Sequence, residues 1–204
     1  MKTLTSLAIA ALFAASTAGI GSADTKLSAA AAPTEQSLPD ESIYQLSSQF
    51  EDQAGHSFRL SERQGKVQLV ALFYTSCKYI CPLIVDSARG VDRSLTPKEL
   101  ARLQVLMVSI DPKRDTPQVL NALSVKRQLD LSRWTLARTD AKGVRMLAAL
   151  LGVRFRALDD GEFNHTSQLT LLDEEGRIIA RTEKMTPVPD PEFLAKVRSA
   201  LQSR

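Results

Sequence analysis

Metal-binding residues are scarce in this chain: two cysteines and two histidines among 204 residues. Structural zinc takes four ligands, typically from two paired motifs. Only one closely spaced pair is present, Cys77 and Cys81, so the supply argues against a zinc module. Excess charge is scarce too. The formal net charge is +3, and Lys and Arg occur singly or in pairs such as Lys126-Arg127. With no basic cluster and no interleaved aromatics, nucleic-acid binding gains no support. No internal repeat is visible, and past the N-terminus no apolar run is long enough to span a bilayer.

What is present begins with a targeting pattern. Lys2 is the only charge before Asp24, Leu4 to Ile20 is Ala/Leu-rich, and Gly21-Ser22-Ala23 offers small residues. Basic, apolar, then small reads as a secretory signal peptide over residues 1–23. The competing reading is an uncleaved membrane anchor. No cysteine follows the segment, which argues against a lipoprotein anchor. Cleavage removes the charge of Lys2, leaving +2, and no membrane span. The expected destination is the periplasm of a bacterial envelope, where thiols tend to oxidise. Residues 24–42, rich in Ala, Ser, Thr and Pro, read as a flexible linker. Residues 43–204 then fit one domain with one core.

Along that domain, Ile43 to Phe50 reads as a strand, turning through residues 51–56 into a short strand from Ser57 to Leu60. Val67 to Tyr74 and Leu103 to Ile110 read as strands buried on both faces. A helix follows the first and runs to about Val91. Thr116 or Asp115 can cap a second, with Pro117 in its first turn, running to about Leu129. Trp134 to Ala137 is a short strand, and Ala141 to Leu151 a helix closed by Gly152. Val153 to Ala157 is short and extended. Thr166 to Leu172 and Arg177 to Thr182 flank a turn as a hairpin, and Pro191 to Leu201 is a terminal helix. This order predicts an α/β, thioredoxin-like fold: a central mixed sheet flanked by helices, with an N-terminal β-hairpin extension.

The cysteines stand in TSCKYICP, after a buried strand and at a helix start. Four residues make about one helical turn, which puts both sulfurs on one face. Unpaired N–H groups and the helix dipole there favour a thiolate, and Lys78 adds positive charge beside Cys77. Such a pair can close a disulfide or hold a soft metal ion. A purely structural disulfide across so small a loop removes little entropy from the unfolded chain. Copper(I), soft and content with low coordination, suits two thiolates and one imidazole. His56, beside Gly55, reads as an exposed turn residue. His165, in GEFNHTSQL, lies in a loop before a strand, where a lone histidine is ordinarily at the surface.

TSCKYICP after one strand, SIDPKRDTP after a second and FNHTSQLTLLDEEGRI near the end resemble, in order and spacing, the Sco/SenC family. The resemblance runs from about Ile43 to Leu201. It implies a thioredoxin-like copper chaperone serving assembly of the Cu-A centre of cytochrome c oxidase. The implied ligands are Cys77, Cys81 and His165, and the implied partner is the copper-bearing oxidase subunit or another envelope copper or thiol protein. Asp111, at the end of the second strand, is expected near the copper loop, while Asp115 and Thr116 are given turn and cap roles. Many members carry an acidic residue just before the second cysteine. This chain has Ile80 there, and Thr166 where serine is common, which points to a divergent branch. Lys78 disfavours a divalent ion more than a monovalent one, so Cu(I) is expected ahead of Cu(II). The alternative is an envelope thiol–disulfide oxidoreductase in which Cys77 attacks and Cys81 resolves, although CxxxC is not the usual CxxC spacing. A peroxidase reading, from Thr75 two residues before Cys77, lacks an upstream proline.

Overall fold

Ile43 and Tyr44 are adjacent and both buried, a pattern that a strand with one wet face does not allow. In the computed structural model, which describes residues 38–77 and 79–202, they sit in a single 3-10 turn, Ile43–Gln45. Ser42 makes the turn: its hydroxyl accepts the Tyr44 N–H at 3.2 Å and donates to the Glu175 carbonyl at 2.5 Å. The expected strand from Ile43 to Phe50 is therefore corrected to this turn followed by β1 (Gln49–Asp52), which pairs antiparallel with β2 (Ser57–Arg59). The expected N-terminal hairpin is thus present, and Asp52 closes it by accepting the N–H groups of Ala54 and His56 at 2.8 and 2.9 Å. The expected signal segment at 1–23, residues 24–37 of the expected linker, and Lys78 lie outside the described residues.

β3 (Val67–Phe73) is buried at all seven positions, as an unbroken apolar run should be when both faces are covered. It leads into α1 (Ile80–Arg93) and a short α2 (Pro97–Leu100), started by a Thr96/Glu99 capping box. β4 (Leu103–Ser109) follows, then α3 (Pro117–Lys126), β5 (Trp134–Thr139) and α4 (Ala141–Leu151). Thr116 accepts the Val119 N–H and Asp140 the Gly143 N–H as N-caps, and Gly152 ends α4 at φ +74°, the left-handed value that glycine adopts most cheaply. The chain continues through β6 (Phe155–Ala157), β7 (Phe163–His165), β8 (Leu169–Leu172), β9 (Ile178–Thr182) and α5 (Pro191–Gln202).

The main sheet runs β2-β1-β5-β4-β3-β8-β9. β3, β4 and β5 are parallel, and β8, β9 and β1 join antiparallel. This is the mixed, thioredoxin-like sheet that the pattern predicts. β3 and β4 pair in register from Val67↔Leu103 to Phe73↔Ser109, so their carboxyl ends emerge side by side, where ligand sites form in such sheets. β6 and β7 pair only with each other, as a separate two-stranded sheet. α1 is held against the segment before α5 by Gly90: a Cβ there would meet the Pro187 carbonyl oxygen at 2.2 Å. Among the described residues no helix is long and apolar enough to cross a membrane.

Candidate metal and thiol site

The loop from Tyr74 to Tyr79 leaves β3 and enters α1, carrying Cys77 just before the helix and Cys81 in its first turn. Asp115 anchors this loop. Its fully buried carboxylate accepts the Thr75 N–H at 3.0 Å, the Thr75 hydroxyl, and the Ser109 hydroxyl at 2.5 Å. Thr116 alone caps α3, so the capping role expected of Asp115 is corrected: the carboxylate points back across the sheet end rather than along its own helix. Asp111 is also buried, but its carboxylate pairs with Arg114. It reaches the cysteine loop only through Ser109, whose hydroxyl accepts the Asp111 N–H at 2.9 Å, and through the Asp115 backbone.

The sulfurs are held in series. Cys77 Sγ accepts the Cys81 N–H at 3.4 Å, and Cys81 Sγ accepts the Tyr74 N–H at 3.5 Å. Cys81 Sγ lies 3.7 Å from His165 Nε2. On the far side of that ring, Nδ1 is 3.1 Å from the Thr166 carbonyl. A carbonyl only accepts, so Nδ1 carries the proton and the Nε2 lone pair faces the sulfur. Both cysteines stand unbonded in this arrangement. His56 lies on the exposed hairpin turn against Asp52, away from this chemistry.

Environment sets the two thiols apart. Burial raises the Cys77 pKa, but hydrogen bonds to the sulfur, led by those from the Cys81 and Tyr79 backbone N–H groups, outweigh it, and the net shift is downward. Burial pushes Cys81 up, only partly opposed by the Tyr74 N–H. Burial also pulls His165 down, against its contact with Thr166, which keeps the imidazole neutral and able to ligate. Thiolate is the reactive form, so Cys77 is expected to alkylate first, with a midpoint below that of an ordinary thiol, while Cys81 reacts only at higher pH. Mass spectrometry after timed iodoacetamide treatment from pH 6 to 10 measures this, and equal rates at the two sites would contradict it.

Among the described residues, no group of three or more His, Cys, Asp or Glu side chains already stands as a metal cluster. Cys81 and His165 nevertheless fit one. With metal–sulfur and metal–nitrogen bonds of about 2.3 and 2.05 Å, a trigonal ion holds its S and N ligands about 3.8 Å apart, close to the 3.7 Å found. Cys77, one turn earlier, adds a thiolate if its side chain swings. An open cleft of about 630 Å³, lined by both cysteines, Ser76, Leu123, Lys126 and Arg127, reaches the sulfurs from one side. His165 lines a different cleft with Arg154 and Arg156.

Sequence reading missed three parts of this site. Tyr74 looks like the last residue of an apolar strand. Its hydroxyl in fact donates to Glu162 Oε2 at 2.9 Å and accepts the Phe163 N–H at 3.3 Å. β7 has three residues, too few for a period, and it makes His165 a strand residue rather than a loop one. Asp115 gave no signal of its partner Thr75.

The chain as a whole is similar to known proteins. A family model described as SCO1/SenC matches residues 39–202. An SCO2-like protein of Rickettsia typhi is 28% identical over 131 residues, 63% of this chain and 64% of the relative's length. Among solved structures, copper-bound ScoI of Bradyrhizobium japonicum superposes with a TM-score of 0.62 at 23% identity, covering 75% of this chain and 96% of that one. BsSco, described as a member of the Sco family of cytochrome c oxidase assembly proteins with a disulfide switch, gives 0.66 at 20% identity, covering 83% and 100%.

Proposed function

The chain belongs to the SCO1/SenC family, and we propose that it is an exported copper-binding metallochaperone, working in the periplasm, that delivers copper to the Cu-A centre of cytochrome c oxidase. The observation that carries this reading is the 3.7 Å approach of His165 Nε2 to Cys81 Sγ, with Nδ1 tied to Thr166. Cys77, Cys81 and His165 are the ligands. Two thiolates and one neutral imidazole form a soft, low-coordinate set that suits Cu(I). Copper-bound ScoI supports the cargo and BsSco the destination. The nearby carboxylates of Asp115, Glu162 and Asp111 are each engaged in hydrogen bonds or an ion pair with the protein, which favours the soft donors.

Anaerobic Cu(I) titration of the reduced protein tests the proposal. We expect one Cu(I) per chain and an affinity at least about tenfold lower in His165→Ala, the loss of a charge-neutral ligand worth roughly 1.4 kcal/mol or more. Equal affinity in the variant would sink the three-ligand model.

A second reading, a thiol–disulfide oxidoreductase, is favoured by one observation: the lowered Cys77 pKa beside a raised Cys81. Cys77 thiolate attacks a target disulfide, one target sulfur leaves as thiolate, and Cys81 then displaces the other while the protein becomes oxidised. Its mark is a mixed disulfide trapped on Cys77 in Cys81→Ser. The two activities are compatible, because copper transfer needs reduced cysteines on both partners.

A further inference from the structure

The β6–β7 hairpin that carries His165 belongs to no other sheet. Few groups tie it to the rest of the domain. Phe155 and Phe163 pack on the core, and Arg114 donates to the Gly161 carbonyl and lies 5.9 Å over the Phe163 ring. A further tie is Tyr74, at the end of β3, on the same loop that presents the cysteines. Its ring meets Phe163 edge-on at 5.2 Å and His165 at 5.8 Å. Its hydroxyl gives its one hydrogen to Glu162 Oε2 at 2.9 Å and receives the Phe163 N–H at 3.3 Å. Glu162 and Phe163 are three and two residues before His165, so both hydrogen bonds act on the strand that aims the imidazole. The Tyr74 N–H, meanwhile, contacts Cys81 Sγ at 3.5 Å. One residue thus touches the sulfur through its backbone and the hairpin of the imidazole through its side chain.

From this we propose that Tyr74 is a positioning residue, whose hydroxyl locks the β6–β7 hairpin through Glu162 and Phe163 so that His165 Nε2 stands at Cys81 Sγ. The copper consequence rests on the proposed function; the positioning itself does not. Tyr74→Phe isolates the hydroxyl, because it keeps both ring contacts. The net worth of one ordinary hydrogen bond corresponds to about a fivefold change, and the loss is read at His165 at second hand.

The test has two arms. In the metal-free dithiol protein, the His165 ring resonances in 1H–15N and 1H–13C NMR report its setting. Tyr74→Phe is expected to shift and broaden them while the Trp134 resonance in the core stays in place, and Glu162→Ala, at a half-exposed surface position, is expected to do the same to a smaller degree. In the copper arm, competition with a chromophoric Cu(I) chelator is expected to show about fivefold weaker binding in Tyr74→Phe than in the parent, and no further loss when Tyr74→Phe is added to His165→Ala. Unchanged His165 resonances in both variants would overturn the proposal. An equal copper loss with and without His165 would also overturn it, since the hydroxyl would then act on the cysteine loop alone. If the parent protein bound no copper, the proposed function would fall, and the NMR arm would still decide the role of Tyr74.

Discussion

Serine in place of Cys81 is expected to abolish stoichiometric Cu(I) binding, lowering affinity by about a hundredfold or more, and to cost more than serine in place of Cys77. A hydroxyl is a hard, weakly acidic donor, so either change removes a soft ligand. The two are unequal because of where the sulfurs stand. Cys81 is the cysteine whose sulfur faces His165 Nε2, at 3.7 Å. Removing Cys77 leaves that pair intact as a two-coordinate remnant. Removing Cys81 leaves a thiolate and an imidazole with no direct contact between them. Affinities from chelator competition at fixed pH give the ranking, and a Cys77→Ser protein that binds more weakly than Cys81→Ser would reverse the assignment. The pH dependence has a definite sign. Metal ligation needs thiolate, and burial pushes the Cys81 thiol up, so near neutrality the thiol must give up its proton as copper enters. Apparent affinity should therefore rise with pH through and above the neutral range, and fall as pH drops.

Asp115→Ala is expected to lower stability by about 3 kcal/mol or more and to loosen the cysteine loop. The carboxylate is fully buried and accepts three donors, the Thr75 N–H, the Thr75 hydroxyl and the Ser109 hydroxyl. Removing it strands those donors where water does not reach, and a buried donor without a partner costs roughly 1–3 kcal/mol. In a domain of this size each kcal/mol moves the thermal midpoint by about 2–4 °C, so calorimetry should show a fall of about 6 °C or more. Hydrogen exchange at the Thr75 amide should accelerate beyond the global change, because its acceptor is gone. A variant with the parent midpoint and an unchanged Thr75 amide would show that the carboxylate does not hold this loop.

The parts of the fold that were legible in the sequence owe it to local causes. β3 and β4 are apolar at nearly every position, and α4 carries its own stop in Gly152 and α3 its own start in Thr116-Pro117. The cysteine pair was legible because its chemistry and its place before a helix are both local. The parts that were not depend on distant partners. DPKRDTP reads as turn and cap whichever carboxylate does what, and only Thr75, forty positions earlier, turns Asp115 into a loop anchor. Ile43 and Tyr44 fold into a turn because the Gly176 carbonyl accepts the Ile43 N–H and the Glu175 carbonyl accepts the hydroxyl of Ser42, which in turn holds the Tyr44 N–H. His165 became a candidate ligand through the family resemblance. Its three-residue strand is set by pairing with Phe155–Ala157, which no period within either segment announces.

The separation of β6–β7 from the seven-stranded sheet has a kinetic meaning for any cargo the three residues share. The two sulfurs ride on the loop and helix that close the rigid end of β3. The imidazole rides on a hairpin with its own hydrogen-bond ladder. If the three residues hold copper as proposed, the imidazole could be withdrawn by displacing that hairpin alone, with no bond of the central sheet broken. That would open a position for an acceptor's thiolate while both sulfurs still held the ion. Tight retention and fast handover are governed by different bonds in such an arrangement, so residence time can be tuned at the hairpin without altering the sulfur donors.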